Sequence, residues 1–158
     1  MLFYIWIRFE WQFSLGAIIA LVHDVIITLG IFSFLSYEIN LSIVAAVLTI
    51  VGYSMNDTVV IFDRIRENLK KYSQLKIAEI SNLSTKETLS RTLITSVTTL
   101  LALFSIFIFG GAILKGFSFA MIIGVIVGTY SSIFVATPVL NYTRVTQKTV
   151  LKEDNKIN

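Results

Sequence analysis

Four stretches of this 158-residue sequence are apolar and long enough to cross a membrane as helices, and this feature constrains the fold most strongly. A bilayer core about 30 Å thick needs about 20 mostly apolar residues per spanning helix. The stretches cover residues 13–35, 41–62, 93–110 and 117–140. Because they take up most of the chain, we predict an all-α membrane protein, a polytopic bundle of four complete transmembrane helices.

The composition argues against other classes of protein. Hydrophobic residues make up 55% of the chain and charged residues 15%, whereas an average soluble domain has about 25% charged residues. The chain therefore has too few charges for a soluble globular enzyme, and it is too hydrophobic for a disordered chain. Since it has no cysteine, a disulfide framework and thiolate-bound metals are excluded. We expect neither a metal nor a cofactor.

The first residues form a shorter apolar stretch. Residues 1–7 would span only about 10 Å as a helix, which is too little to cross a bilayer alone. They lack the basic start and the small-residue cleavage site of a signal peptide. We therefore expect them to be the end of a preceding helix, and the chain to be the rear portion of a larger protein.

Lysine and arginine are distributed unevenly between the two ends of the predicted helices. Of the thirteen, only Lys115 falls in a connection on one side. The other twelve lie on the opposite side, at Arg8, in the connection 64–91 and in residues 144–158. Under the positive-inside rule these segments face the cytoplasm. We predict a multi-pass membrane protein with a transmembrane domain at 1–143 and a cytoplasmic tail at 144–158.

The net charge of +3 does not indicate nucleic-acid binding, because in a membrane protein the position of the positive charges matters more than their sum. We expect contact with membrane lipid and none with nucleic acid. In the connection 64–91, apolar residues recur at three to four positions among the charges, so it either extends the helix or lies on the membrane surface. Two roles stay open for it. It either anchors the topology beside anionic lipid or offers a docking face to a cytoplasmic partner.

Small residues recur at every fourth position of the last apolar stretch, at Ala120, Gly124, Gly128, Ser132 and Ala136. This spacing keeps them on one helical face, where another backbone can approach closely. We interpret the stripe as a helix-packing surface, although helices that slide past each other would also favour it.

Two carboxylates, Asp24 and Asp57, lie inside the apolar stretches. An aspartate at the bilayer centre costs about 2.5–3.5 kcal/mol on insertion scales, and such residues often mark ion or proton pathways. Asp57 has polar neighbours that can hydrogen-bond either protonation state, namely Tyr53, Ser54, Asn56 and Thr58. A carboxyl group balanced between burial and a nearby cation can load and release a proton. The alternative is a structural hydrogen bond between helices.

The candidate cation is Arg91, at the inner end of the next span. That helix runs antiparallel to the one that carries Asp57, so Arg91 can pair with Asp57 if the two helices are neighbours. Thr95 and other hydroxyl residues continue the same span and could hold water. Arg91 is equally well explained as one more positive-inside anchor.

Asp24 and His23 lie near the middle of the first complete span. Asp24 shares a helical face with Ala17, Ala20 and Thr28, so it can point into the bundle. A histidine beside a carboxylate is a weak signal for a proton relay, and a buried polar contact that fixes helix register explains it as well. No further ligands accompany the pair, so a metal site is not expected.

Several runs of the sequence resemble the SecF family of bacterial protein-export membrane proteins. The most specific is GYSMNDTVVIFDRIREN at residues 52–68. IRFEW at 7–11, HDV at 23–25 and SRT at 90–92 match the same family in order and spacing. The resemblance extends over nearly the whole chain up to Tyr142.

The resemblance implies a transport subunit rather than an enzyme. Proteins of this family have six spans and a large extracytoplasmic domain, pair with SecD and are related to the resistance-nodulation-division transporters. With the SecY translocon and the SecA motor they use the proton gradient to help move exported polypeptide chains. The family's membrane aspartate falls on Asp57 and its functional arginine on Arg91, while Asp24 becomes a supporting candidate. Compared with that arrangement, we expect this sequence to lack the first span, the extracytoplasmic domain and most of the second span, whose end corresponds to residues 1–7.

Two other functions are weighed against proton coupling. In the first, the chain is a structural scaffold that stabilises SecD and the translocon without titrating. The second is a small-molecule exporter of the related transporter superfamily, which the signature at residues 52–68 disfavours.

Overall fold

The structure, a computed structural model, describes residues 11–72, 74–143 and 145. The predicted partial helix at 1–7, Arg8 and the predicted tail at 144–158, except Val145, lie outside the described residues. The described part is helical and contains no strand. Four of its segments are long and apolar enough to cross a membrane, so the predicted all-α bundle is confirmed.

The helices follow the apolar stretches in chain order. Helix α1 covers Trp11–Phe34, α2 covers Leu41–Lys71 and α3 covers Ile77–Phe109. Helix α4 covers Gly111–Ser131, and a π-helical turn at Ser132–Ala136 joins it to the short helix α5 at Thr137–Tyr142.

Helices α2 and α3 are much longer than the apolar stretches within them. Their 31 and 33 residues correspond to about 45–50 Å of helix, whereas a bilayer core is about 30 Å thick. The surplus lies at the end where α2 finishes and α3 begins, which we call the basic end of the bundle. The connection 64–91 therefore extends both helices, and among its described residues 72 and 74–76 are non-helical.

Local hydrogen bonds and one glycine define the helix ends. The Asn40 side chain accepts a hydrogen bond from the backbone N–H of Ile43 at 3.1 Å and so caps α2. Glu79 does the same for the backbone N–H of Lys76 ahead of α3, at 3.1 Å. Between α3 and α4 the chain reverses at Gly111, whose φ of 74° favours glycine.

Helix α4 packs against α2 through the stripe of small residues. A Cβ atom placed on Gly124 would lie 2.2 Å from Ile50 Cγ1, and one placed on Gly128 would lie 3.1 Å from Ser54 Cβ. Ala120, Ser132 and Ala136 in the same stripe are fully buried. Gly124 and Gly128 thus lie where α4 and α2 approach closely, and the other members of the stripe are buried as well, as expected of a packing surface.

Helix α3 lies at the side of this group and buries the least. Only 17% of its most apolar window is buried within the described residues, compared with 50% for the segment from Gly111 to Tyr142. Its outer face presents large apolar side chains, among them Ile94, Leu101 and Ile108. In a membrane protein such a face is compatible with lipid tails or with another apolar helix.

The last transmembrane segment is interrupted by the π-helical turn, which lies just before Pro138. Proline has no N–H to donate and disturbs the preceding turn of a helix. The Thr137 hydroxyl donates to the backbone carbonyl of Ser132, five residues earlier, at 3.0 Å. The side chain thus supplies a donor to a carbonyl within the irregular turn.

Replacing Gly124 with alanine is expected to destabilise the bundle by about 1–3 kcal/mol, because the added methyl group overpacks the contact with Ile50. The free energy of unfolding in detergent micelles, followed by circular dichroism, measures the effect. Gly52→Ala is the matched control, since a Cβ there meets nothing within 4 Å. The Gly124→Ala, Ile50→Ala double variant should lose less than the sum of its parts. Equal stability of the Gly124→Ala and Gly52→Ala variants would contradict the close packing.

Candidate functional site

The buried carboxylate of Asp24 joins three helices. Asp24 belongs to α1 and is buried, with 1% of the residue exposed. Its Oδ2 accepts hydrogen bonds from the hydroxyls of Ser54 on α2 and of Ser131 on α4, the latter at 2.8 Å. His23 Nδ1 lies 3.1 Å from its other oxygen. Hydrogen bonds to a charged acceptor are stronger than those between neutral groups. Asp24 is therefore held in place by its neighbours.

The predicted placement of Asp24 agrees with its surroundings. Ala17, Ala20 and Thr28, expected on the same face, are all buried with it. Ser54, which donates to the carboxylate, also lies against Gly128 of α4, where a Cβ atom would be 3.1 Å from Ser54 Cβ. His23 is part-exposed, with 29% of its side chain accessible.

Ser131 was missed by reasoning from the sequence. The four-residue spacing led to its neighbour Ser132, which is also buried. The Ser132 hydroxyl donates only to the backbone carbonyl of Thr129 in its own helical segment, at 3.0 Å. The available signal for Ser131 was its position three residues after Gly128, which places both on one side of α4.

Asp57 is buried as well, with 5% of its surface exposed, but its environment is different. Its Oδ2 is enclosed and has no hydrogen-bond partner. No hydrogen bond or direct ion pair joins Asp57 to any other residue that the structure describes. A buried carboxylate without a partner is costly, and the cost is removed by a proton or by a cation.

The polar neighbours predicted to surround Asp57 have other partners. The Tyr53 hydroxyl donates to Thr99 at 3.4 Å, and Thr58 donates to the backbone carbonyl of Ser54 at 3.2 Å. Asn56 is exposed. The expected set of hydrogen bonds to Asp57 is therefore wrong. Asn56 and Thr58 are adjacent to Asp57 in sequence and point about 100° away from it around the helix. Tyr53 and Ser54 share its face, but their hydroxyls bond to residues of other helices.

Arg91 lies near Asp57 without touching it. Its charge interacts with the Asp57 carboxylate across the α2–α3 contact. In the described part of the chain Arg91 forms no direct ion pair. The structure therefore brings the two predicted residues together but leaves a gap between them.

The hydroxyl groups of α3 mostly bond to their own helix. Thr95 donates to the backbone carbonyls of Arg91 and Thr92, at 3.1 and 2.9 Å. Such bonds to the backbone of the same helix satisfy the hydroxyl within the membrane. Ser96 is an exception, since its hydroxyl lies 2.7 Å from that of Thr129 on α4.

A charged cluster ties α2 to α3 at the basic end. Arg64 Nε donates to Glu87 Oε2 at 2.7 Å, and Arg64 Nη1 donates to Glu67 Oε2 at 2.6 Å. Asn68 Nδ2 donates to the same Glu87 oxygen at 2.8 Å and to Ser84 Oγ at 2.9 Å. These bonds lower the pKa of the Glu87 carboxyl below its ordinary value. Reasoning from the sequence missed Glu87, since nothing local distinguishes it from other charges of the connection.

Comparison with known proteins identifies the family. The family described as protein export membrane protein SecD/SecF, C-terminal, matches residues 1–146 of this sequence. The chain belongs to the SecD/SecF family. The part of it that the structure describes is a multi-pass membrane bundle of that family.

Curated relatives with the name protein translocase subunit SecF are very similar to this chain. The protein of Rhodothermus marinus is 62% identical over 143 residues, which cover 87% of this chain and 46% of the relative. The protein of Rhodobacter capsulatus is 59% identical over 135 residues, covering 85% of this chain and 40% of the relative. The chain thus spans less than half the length of these relatives.

Solved structures of SecDF have the same helix arrangement. The crystal structure of SecDF from Thermus thermophilus, described as a translocon-associated membrane protein, is 46% identical with a TM-score of 0.87. The matched region covers 90% of this chain and 20% of the SecDF chain. A second SecDF structure, in a super-membrane-facing form, gives 43% identity and a TM-score of 0.86, with 98% of this chain and 21% of that one covered.

Removing either serine that bonds to Asp24 is expected to destabilise the bundle. Ser54→Ala and Ser131→Ala should each cost about 1–2 kcal/mol, since each takes one donor from a buried carboxylate. Unfolding in mixed detergent micelles measures the loss. Ser105→Ala is the matched control, because the exposed Ser105 hydroxyl bonds only to the Leu101 carbonyl of its own helix. If both serine variants were as stable as this control, Asp24 would not join the helices in solution.

Proposed function

We propose that this chain is the membrane part of a SecF-like subunit that couples the proton gradient to protein translocation, with Asp57 as the proton carrier and Arg91 as its charge partner. Membership of the SecD/SecF family supports the transport role. The observation that supports the proton role is that Asp57 is buried, with an enclosed oxygen that has no hydrogen-bond partner among the described residues.

The contrast between the two membrane carboxylates supports this assignment. Asp24 has two hydroxyl donors and an adjacent imidazole, so its surroundings stabilise one fixed arrangement. Among the residues that the structure describes, Asp57 has only the nearby charge of Arg91. When Asp57 is charged, Arg91 is attracted to it, and when Asp57 takes up a proton, that attraction disappears. Proton uptake thus changes the interaction between α2 and α3.

The gradient supplies enough energy for such a change. Moving one elementary charge across a potential of 100 mV is worth about 2.3 kcal/mol. A single polar contact between membrane helices is worth about 0.6–2 kcal/mol. One proton can therefore shift a two-state arrangement of helices that differs by one or two polar contacts, provided the two states bind the proton with different affinity.

The proposal includes the partners and the orientation of the chain. A SecD-like subunit lies beside the bundle, and the SecY translocon with the SecA motor supplies the exported polypeptide chains. The similarity to SecDF structures supports the first of these partners. The basic end, the connection between α2 and α3 and the C-terminus face the cytoplasm of a cell whose plasma membrane holds the protein. This orientation is supported by the basic residues, because twelve of the thirteen lie in segments at the same end of the transmembrane helices.

The second candidate function is a scaffold that stabilises SecD and the translocon without titrating. The Asp24 contacts favour it, because they show that a carboxylate in this bundle can serve helix packing. In that case Asp57 would contribute to the packing of helices within the bundle and would not carry a proton.

Replacing Asp57 with asparagine separates the two functions. The variant is placed in a SecF subunit whose membrane part is this chain, assembled with a SecD-like subunit in inverted membrane vesicles. Export of a preprotein is measured with and without a proton gradient. We expect the gradient-stimulated part of export to fall to about the level seen without a gradient, because asparagine cannot carry a proton. Co-purification of the SecD-like subunit should be unchanged.

Glu38→Gln is the control, since it also converts a carboxylate into an amide and Glu38 is exposed in the connection between α1 and α2. This variant should export like the parent protein. Undiminished gradient-stimulated export in the Asp57→Asn variant would remove Asp57 from the mechanism. Loss of the SecD-like subunit from the purified complex would instead favour the scaffold.

A further inference from the structure

Charged and polar side chains face each other in pairs along the contact between α2 and α3. Asp57 on α2 lies near Arg91 on α3. Seven residues further along α2, Arg64 binds Glu87, and one more turn on, Asn68 binds Ser84. The acid is on α2 in the first pair and on α3 in the second. The two charge pairs therefore have opposite polarity along one contact.

This arrangement places Arg91 between two acids. Asp57 faces it from α2, and Glu87 lies four residues before it on its own helix, so both share one face of α3. Arg64, Glu87 and Arg91 line one open pocket of about 300 Å³. The Arg91 side chain therefore has both a second acid one helical turn away and space in which to move towards it.

Glu87 can change partners without leaving Arg64 unpaired. Arg64 binds Glu67, on its own helix, at 2.6 Å as well as Glu87 at 2.7 Å. Both partners of the Arg64–Glu87 pair are about a third exposed, with 36% and 32% of their side chains accessible. Exposed pairs are worth little individually, so exchanging one such contact for another costs little free energy.

We propose that Glu87 is the alternative counter-ion of Arg91, so that proton uptake by Asp57 moves Arg91 to Glu87 and releases Arg64 to Glu67. This inference rests on the proposed proton role of Asp57. The exchange loosens the tie between α2 and α3 at the basic end, because Arg64 then pairs within α2 instead of across to α3. Protonation deep in the bundle is thereby transmitted to the ends of both helices.

The charges around Glu87 are compatible with this role. Asp63 and Lys71 on α2 lie nearby in addition to the residues already named, and Lys71 attracts the Glu87 carboxylate. In their described parts the other long helices contribute only His23 and Asp24 on α1 and Lys115 on α4. Hydrogen bonds from Arg64 and Asn68 hold the pKa of Glu87 below its usual range. Glu87 thus stays ionised and available to Arg91 when Asp57 is neutral.

The test compares Glu87→Gln, Glu87→Asp and the control Glu38→Gln in the inverted membrane vesicles described above. Without Glu87 as the second acid, Arg91 leaves Asp57 less readily. We expect Glu87→Gln to reduce gradient-stimulated export about fivefold or more. In Glu87→Gln the pH inside the vesicles that gives half-maximal stimulation of export should fall by about one unit. The interior of an inverted vesicle corresponds to the outer side of the membrane. Glu87→Asp, which keeps the charge, should recover most of the stimulation, and the control Glu38→Gln should export like the parent protein with and without a gradient.

Three outcomes would overturn the inference. The first is full gradient-stimulated export with an unshifted pH profile in Glu87→Gln. The second is an equal loss of export with and without a gradient, accompanied by loss of complex assembly, which would make the Arg64–Glu87 pair a structural tie only. The third is failure of the charge-conserving Glu87→Asp variant to recover more than Glu87→Gln does. Asp57→Asn in the same preparation keeps the two proposals distinct, since normal export there would reject the proton role itself.

Discussion

The hydrogen-bonded carboxylate of Asp24 is the interaction on which the arrangement of α1, α2 and α4 depends. A charge at this depth is tolerated only if donors surround it, and the donors come from two other helices. Ser54 lies against Gly128, whose missing side chain leaves room for it between α4 and the carboxylate. The glycine and the carboxylate therefore act together. A larger residue at position 128 would separate the helices and remove a donor from a buried charge.

Helix α3 is attached by a different kind of contact. Its apolar window is the least buried of the four, although Leu103 and Phe107 pack against apolar residues of α4. Its side-chain hydrogen bonds to α2 are polar or charged, as between Arg64 and Glu87. Contacts between apolar surfaces in lipid depend on close packing, whereas polar contacts can be exchanged one for another. Helix α3 is thus held to α4 by apolar packing and to α2 at the basic end by bonds that can change partners.

Bilayer thickness is the reason that the number and order of the long helices could be predicted. It sets the length of an apolar stretch, and helical periodicity correctly placed Asp24 on a buried face. The ends of α2 at Lys71 and of α3 at Ile77 could not be predicted, because polar residues are compatible with a helix outside the apolar layer. Ser131 and Glu87 were missed because their partners are distant in sequence, as in the bond from Ser131 to Asp24 across 107 positions. Spacing shows which residues share a face of one helix, but it does not show which faces meet. The roles of Asp57 and Arg91 stay predictions.

The π-helical turn at Ser132–Ala136 has a consequence for the stripe of small residues. In an α-helix a step of four residues turns through about 400°, so the stripe drifts about 40° around α4 at each step. After three steps, from Ala120 to Ser132, the drift would carry the next small residue away from the contact. A π turn holds more residues than an α turn, so the step from Ser132 to Ala136 falls short of a full turn and reverses part of the drift. Both residues are fully buried, and the carbonyl of Ala136 lies against Gly16 on α1. The irregular turn thus acts as a phase correction that lets a four-residue repeat follow one side of a helix with 3.6 residues per turn.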